Sequence, residues 1–252
     1  MSADENSISV GGGDTAQPKN LAKRMDRIRA ICPLADIDVL DMGCGEGAYV
    51  AAMLAEGANA RGVEYDGEKV RALRERMPEF DRVTQGDIED LPFAADSFDL
   101  VLLNEVLEHV PNQERALTEA RRVLRRGGRI VLLSPNRLYP FETHGVYARR
   151  SGRRLSHMLP FVPYVPTSIG RHFLRYWARN YWPWELREAV RSAGFTIVDV
   201  GFLWQTFENI SRNQPRWLQI AAPILRRFAN AAERTPILRT FGVSQLVVAE
   251  PR

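Results

Sequence analysis

The residues best suited to chemistry fall in a few short segments. Asp41-Met42-Gly43-Cys44-Gly45-Glu46-Gly47 sets three glycines at alternate positions behind a carboxylate. The apolar run Ile37, Val39, Leu40 precedes them, and Tyr49–Leu54 follows with helical spacing. Strand, glycine turn and helix in that order offer helix N-terminal amides and a close backbone approach to a ligand. The spacing is G-x-G-x-G followed by Ala48, not the G-x-G-x-x-G of a dinucleotide site. Glu64, Asp87 and the pair Asn104-Glu105 each close a later apolar run. Open α/β sheets bind ligands at such strand ends, and an acid about 20 residues after the glycine turn, like Glu64, suits ribose hydroxyls. His144, in Pro140-Phe141-Glu142-Thr143-His144-Gly145, follows a further run. An imidazole titrates near neutral pH and can take a hydroxyl proton. Glu142 is spaced to orient it, or to join it at a divalent ion such as Mg²⁺.

Repeated β-α-β units must position these residues. Strands are expected at 37–42, 59–65, 82–86, 98–103, 129–133 and 195–201, with a last one at 243–250. Intervening helices include one that starts after the N-cap Asn112 and is closed by Gly127-Gly128. This pattern predicts an α/β fold, a Rossmann-like seven-stranded sheet with helices on both faces. A helix is expected over 19–31, where Leu21, Met25, Ile28 and Ile31 share a face. Residues 1–17 read as a flexible tail, and 18–252 as one domain with insertions at 135–181 and 202–240. The first insertion is expected to form a lid with short helices near 146–158 and 168–179, because a structureless loop of that length is improbable. The second carries an apolar stripe (Trp217, Ile220, Ala221, Ile224, Leu225, Phe228) suited to packing on its own domain, to a membrane surface or to another subunit in a homodimer.

Composition narrows the class. Charged residues make up 26% and no apolar run approaches a bilayer span, which points to a soluble protein; the acidic N-terminus does not read as a signal peptide, so the expected location is cytoplasmic. The two cysteines, Cys32 and Cys44, lack metal-ligand spacing. Residues 135–181 hold eight arginines against the single acid Glu142, which favours anionic partners or a peripheral membrane contact.

Taken together, VLDMGCGEG, GVEYD, QGDIEDLPF, FDLVLLNEVLEHV and LRRGGRIVLLSPN resemble the class I S-adenosylmethionine (SAM)-dependent methyltransferases. The resemblance covers residues 36–136, with looser matches at 184–200 and 244–250. It implies SAM as cofactor and S-adenosylhomocysteine as product. It also implies that Asp41, Gly43 and Gly45 surround the methionine part, Glu64 holds the ribose, and Tyr65 packs on the adenine. Asp87 and the Ile88 amide would read the adenine edge, and Asn104 and Glu105 would meet the methionine amine and the transferring methyl. His109, in Glu105-Val-Leu-Glu-His109, supports the cofactor side.

For the acceptor, Asn104-Glu105-Val106-Leu107 departs from the Asn/Asp-Pro-Pro-aromatic loop of amino-adenine enzymes, and no cysteine sits as a cytosine-C5 nucleophile, so no nucleic-acid partner is expected. The segment from Ser134 to Gly145 resembles methyltransferases of bacterial polysaccharide pathways. The expected activity is O-methylation of a carbohydrate or glycolipid hydroxyl, with His144 as general base and Glu142 beside it. The alternatives are a quinone or prenylated-phenol methyltransferase at the membrane surface, and a SAM-binding sensor without turnover.

Overall fold

The computed structural model describes residues 20–76, 81–155, 159–206 and 216–252, with backbone alone for 216–219. The expected tail lies outside these residues. After α1 (Leu21–Ile31) the chain alternates β1 (Asp38–Met42), α2 (Ala48–Ala55), β2 (Asn59–Glu64), α3 (Gly67–Arg76), β3 (Val83–Gln85), β4 (Phe98–Asn104), α4 (Gln113–Val123) and β5 (Leu124–Pro135). Beyond it come β6 (Val146–Ala148), α5 (Thr167–Phe173), β7 (Leu174–Tyr176), α6 (Pro183–Ser192), β8 (Phe195–Leu203), α7 (Arg216–Arg234) and β9 (Ser244–Pro251). Seven strands form one sheet in the order β3-β2-β1-β4-β5-β9-β8. The first five run parallel, and β9 is antiparallel to both β5 and β8. This is the Rossmann-like sheet expected from the strand and helix pattern. No helix among the described residues is long and apolar enough to cross a membrane.

Successive strand residues point to opposite faces, and both faces are covered. Leu40, Met42, Val101, Leu103, Ile130 and Leu132 pack beneath α4 and α6, through Leu117, Ala120, Leu186 and Val190. Val39, Leu100, Leu102, Val131 and Leu133 pack against α1, α2 and α3, through Ile28, Val50, Met53 and Leu73. Each such side chain, fully buried, contributes about 1.5–3 kcal/mol. Parallel pairing, with Asp41 opposite Gly62 and Leu102, brings the C-terminal ends of β1, β2 and β4 to one edge.

Two local expectations are corrected. The helix that starts at Asn112, whose side chain accepts from the Arg115 amide at 3.1 Å, ends at Val123 rather than at Gly127-Gly128. Leu124 already pairs with Phe98, and Arg125 is drawn to the sheet by Asp99 and Asp38, at 2.7 and 2.8 Å. The two glycines lie where the register shifts. The helix expected over 146–158 is instead strand β6, paired with β7, which itself takes residues expected to be helical. Val146-Tyr147-Ala148 is a β-favouring triplet that finds a cross-strand partner, and the chain reverses at once through a turn closed by the Gly152 amide on Ala148 O at 2.8 Å; residues 156–158 lie outside the described residues. The stem of this insertion is fixed to the sheet: the Tyr181 carbonyl accepts from the Arg137 amide at 3.0 Å and from Gln245 Nε2 at 2.9 Å.

Candidate active site

The glycine turn after β1 is held by the strand beside it. Gly43 and Cys44 both donate to Val63 O, at 2.8 and 2.9 Å. Gly43 has φ +78°, and a Cβ there would lie 2.6 Å from Val106, so only glycine fits. Gly45 has φ +54°, but a Cβ there would meet nothing within 4 Å: the backbone faces open space. Its amide donates to Glu64 Oε2 at 2.8 Å, and the other oxygen of Glu64 accepts from the Asp66 amide at 3.0 Å. Asp41, 2% exposed, leaves Oδ2 without a hydrogen-bond partner. Burial, and then the charge of Glu64, push its carboxyl up to about 7. Burial also pushes the Cys44 thiol up, which keeps it from nucleophilic use.

A second group is assembled around Arg24, which the sequence reading did not single out. From α1 its guanidinium reaches Asn104 Oδ1 at 2.6 Å, Glu105 Oε1 at 2.7 Å and Ser244 Oγ at 2.9 Å. Ser244 in turn donates to Glu105 Oε1 at 2.6 Å. Glu105 sits at φ +58°, a conformation that costs about 1–3 kcal/mol for a residue with a side chain. Its amide bond to Leu133 O at 2.9 Å and its carboxylate bonds hold it there. Burial works against the charge of Glu105, but Arg24, Ser244 and His144 outweigh it and hold the carboxyl below its usual range.

His144 closes the site from the loop after β5. Its side chain is 9% exposed. Nε2 is 3.7 Å from Glu108 Oε1 and 3.9 Å from Glu105 Oε2, and Nδ1 lies 3.1 Å from Thr143 Oγ1. The His109 ring meets it edge-on, with centroids 5.3 Å apart. Burial, and then Glu105, raise the Glu108 carboxyl well above its usual value. Glu142 acts on the backbone of this loop. Its Oε1 accepts from the amides of Thr143 and His144 at 3.1 and 3.0 Å, and its Oε2 from Asn180 at 2.7 Å. Glu142 thus reaches His144 through its backbone amide, and among the described residues the carboxylates paired with Nε2 within 4 Å are Glu105 and Glu108.

Residues 40–132 match the family described as a methyltransferase domain. A demethylmenaquinone methyltransferase of Clavibacter sepedonicus is 32% identical over 184 residues, covering 70% of this chain and 72% of that protein. The chain belongs to the class I SAM-dependent methyltransferases. A probable SAM-dependent methyltransferase of Mycolicibacterium smegmatis is 39% identical over 102 residues, 40% of this chain and 39% of that protein. In fold, the methyltransferase resembles a SAM-dependent methyltransferase from Mesorhizobium loti, with TM-score 0.61 and 19% identity over 92% of this chain and 99% of that one.

SAM is the cofactor this family implies, and the turn after β1 fits it. SAM carries positive charge on its sulfonium and its amine. The methyltransferase offers the buried carboxylates Asp41 and Glu64, one with an oxygen free of partners, beside a glycine backbone open to close approach. Tyr65, 73% exposed, stands at the end of β2. Asp87 and Ile88 form the turn after β3, where the Glu89 amide donates to Asp87 Oδ1 at 2.9 Å and the Ile88 side chain is buried. Asn104 and Glu105 lie at the same edge but are engaged by Arg24. One signal pointed to Arg24: it falls on the apolar face of its helix, between Leu21, Met25 and Ile28. Glu108 had no such marker.

Proposed function

We propose that this methyltransferase transfers the methyl group to a hydroxyl of a carbohydrate or glycolipid. The observation that carries the reading is the His144 imidazole, nearly buried at the strand ends with Glu105 and Glu108 within 4 Å of Nε2. Bound SAM supplies a methyl on a sulfonium, already a good electrophile. The chain's own part is to hold it at Asp41, Gly43, Gly45 and Glu64, to align the acceptor, and to receive the proton. With Nδ1–H donated to Thr143 Oγ1, Nε2 keeps its lone pair and takes the hydroxyl proton. The charge of Glu105 then stabilises the imidazolium. The amides of Thr143 and His144 donate to Glu142, which holds the loop that carries the ring.

A second reading, methylation of a prenylated phenol or quinone at a lipid surface, has two observations behind it: the activity named for the Clavibacter relative, and the exposed stripe of Ile220, Ile224 and Phe228 at spacings of four along α7. Methyl-labelled SAM, the purified protein and an extract split into polar-glycan and lipid fractions separate the two. Label in sugar-containing material, polar or lipid-linked, is the expected result. Label confined to prenylated phenols, with activity dependent on liposomes, overturns the sugar reading, and no label in either fraction despite tight SAM binding favours a sensor.

A further inference from the structure

Glu108 is not accounted for by proton transfer alone. Its side chain is wholly buried, yet neither carboxylate oxygen has a hydrogen-bond partner. Buried polar groups are hydrogen-bonded in the great majority of cases. Around it the methyltransferase gathers nitrogen donors. One ligand atom each from Glu108, His109 and His144 lie within 4.8 Å of one another. Glu108 and His109 are neighbours in the turn after β4, and the fold brings His144 to them from the loop after β5.

We propose that Glu108, His109 and His144 form a binding site for a divalent transition-metal ion. Two imidazoles and one carboxylate suit zinc, cobalt, iron or manganese, whereas magnesium takes oxygen ligands in a near-octahedral shell. With metal–ligand bonds of about 2.0–2.2 Å, neighbouring donors of a four-coordinate ion lie roughly 3.4 Å apart. The Glu108–His144 separation of 3.7 Å is already close to that, and rotation of the His109 ring brings in the third donor. An ion there gives the Glu108 oxygens their missing partner and relieves the crowding of Glu105 and Glu108. Thr143 Oγ1, 3.1 Å from Nδ1 of His144, is then the outer partner of that ring, and Glu142 and Asn180 fix the loop that bears it. Three protein donors leave a position for a water; an ion on Nε2 of His144 occupies the lone pair assigned above to proton transfer, so in the metal-bound protein the ion-bound hydroxide takes the acceptor's proton in place of the imidazole.

The test is Co²⁺ titration of the full chain after chelator treatment. One saturable equivalent with visible d–d absorption, displaced by Zn²⁺, is expected. Glu108→Gln and His109→Ala should each weaken Co²⁺ binding about tenfold or more while keeping the metal-free melting temperature. In the unmodified protein, Co²⁺ should slow carbethoxylation of His109 and His144 but not of the exposed His172. Absence of one-equivalent binding, parent-like affinity in both variants, or equal labelling of the three histidines with and without Co²⁺ overturns the site. None of these readouts involves a methyl acceptor, so they stand apart from the test of O-methylation.

Discussion

On the β1–β2 flank of the strand edge, the polar groups come from one β-α-β unit and are fastened by backbone: Glu64 grips the Gly45 and Asp66 amides, and Val63 O anchors the turn. On the β4–β5 flank, Arg24, the turn bearing Glu105 and Glu108, His144 and Ser244 arrive from four separate parts of the chain and are fastened by one another. The first flank sets the buried carboxyls of Asp41 and Glu64 against one cation, Lys69 at 4.0 Å from Glu64, as suits a cationic ligand. The second neutralises most of its charge internally and leaves an imidazole at the centre, as suits proton handling. Ligand binding and chemistry are thereby assigned to opposite sides of one edge, and substitutions should separate them.

The sharpest separation is expected from His144→Ala, which should lower kcat about 10²–10⁴-fold while leaving SAM affinity by calorimetry unchanged. Near-parental turnover would place the base elsewhere. Arg24→Met should cost about 3–5 kcal/mol in urea unfolding, because Glu105 is then left largely buried without its partner. A loss under about 1 kcal/mol would rank this pair with surface ion pairs. Asp41 gives the opposite flank a pH signature. Its folded carboxyl titrates near 7 against an ordinary value of 3.8, so between these pH values the folded state holds a proton that the unfolded state has lost. Stability therefore falls as pH rises across that window, by as much as roughly 4 kcal/mol above pH 7. Asp41→Asn should flatten the decline, read as the difference in melting temperature between pH 5 and pH 8; a slope equal to the parent's would mean that Asp41 is ionised throughout. The smallest change is expected from Glu64→Ala, which should weaken SAM binding by about 1.5–3 kcal/mol through loss of charge-assisted bonds, with kcat at saturation little altered. Unchanged affinity would remove Glu64 from the cofactor site.

The same contrast explains what the sequence could show. β1, β2, β4, the core of β5 and the Asn112 cap rest on patterns a few residues long, so apolar runs and turn chemistry were enough to locate them. The glycine turn and Glu64 belong to one local unit and were legible for the same reason. Arg24 was not, because its partners are 80 and 220 positions away. Glu142 was expected to orient His144 or to join it at a divalent ion; two residues away on a tight loop, its carboxylate accepts from the backbone amides of Thr143 and His144. The β6–β7 ribbon was misread as helix because cross-strand pairing, not local propensity, decided a three-residue segment.

Ser244 opens β9, and β9 lies between β5 and β8 in the finished sheet. During synthesis, 220 positions separate Arg24 on α1 from the serine whose arrival completes its bonding. Until then β5 and β8 have no strand between them, and the Glu105 turn lacks one of its two clasps. The β1–β2 flank can take shape while the chain is still growing, whereas the proton-handling flank matures with the closing strand.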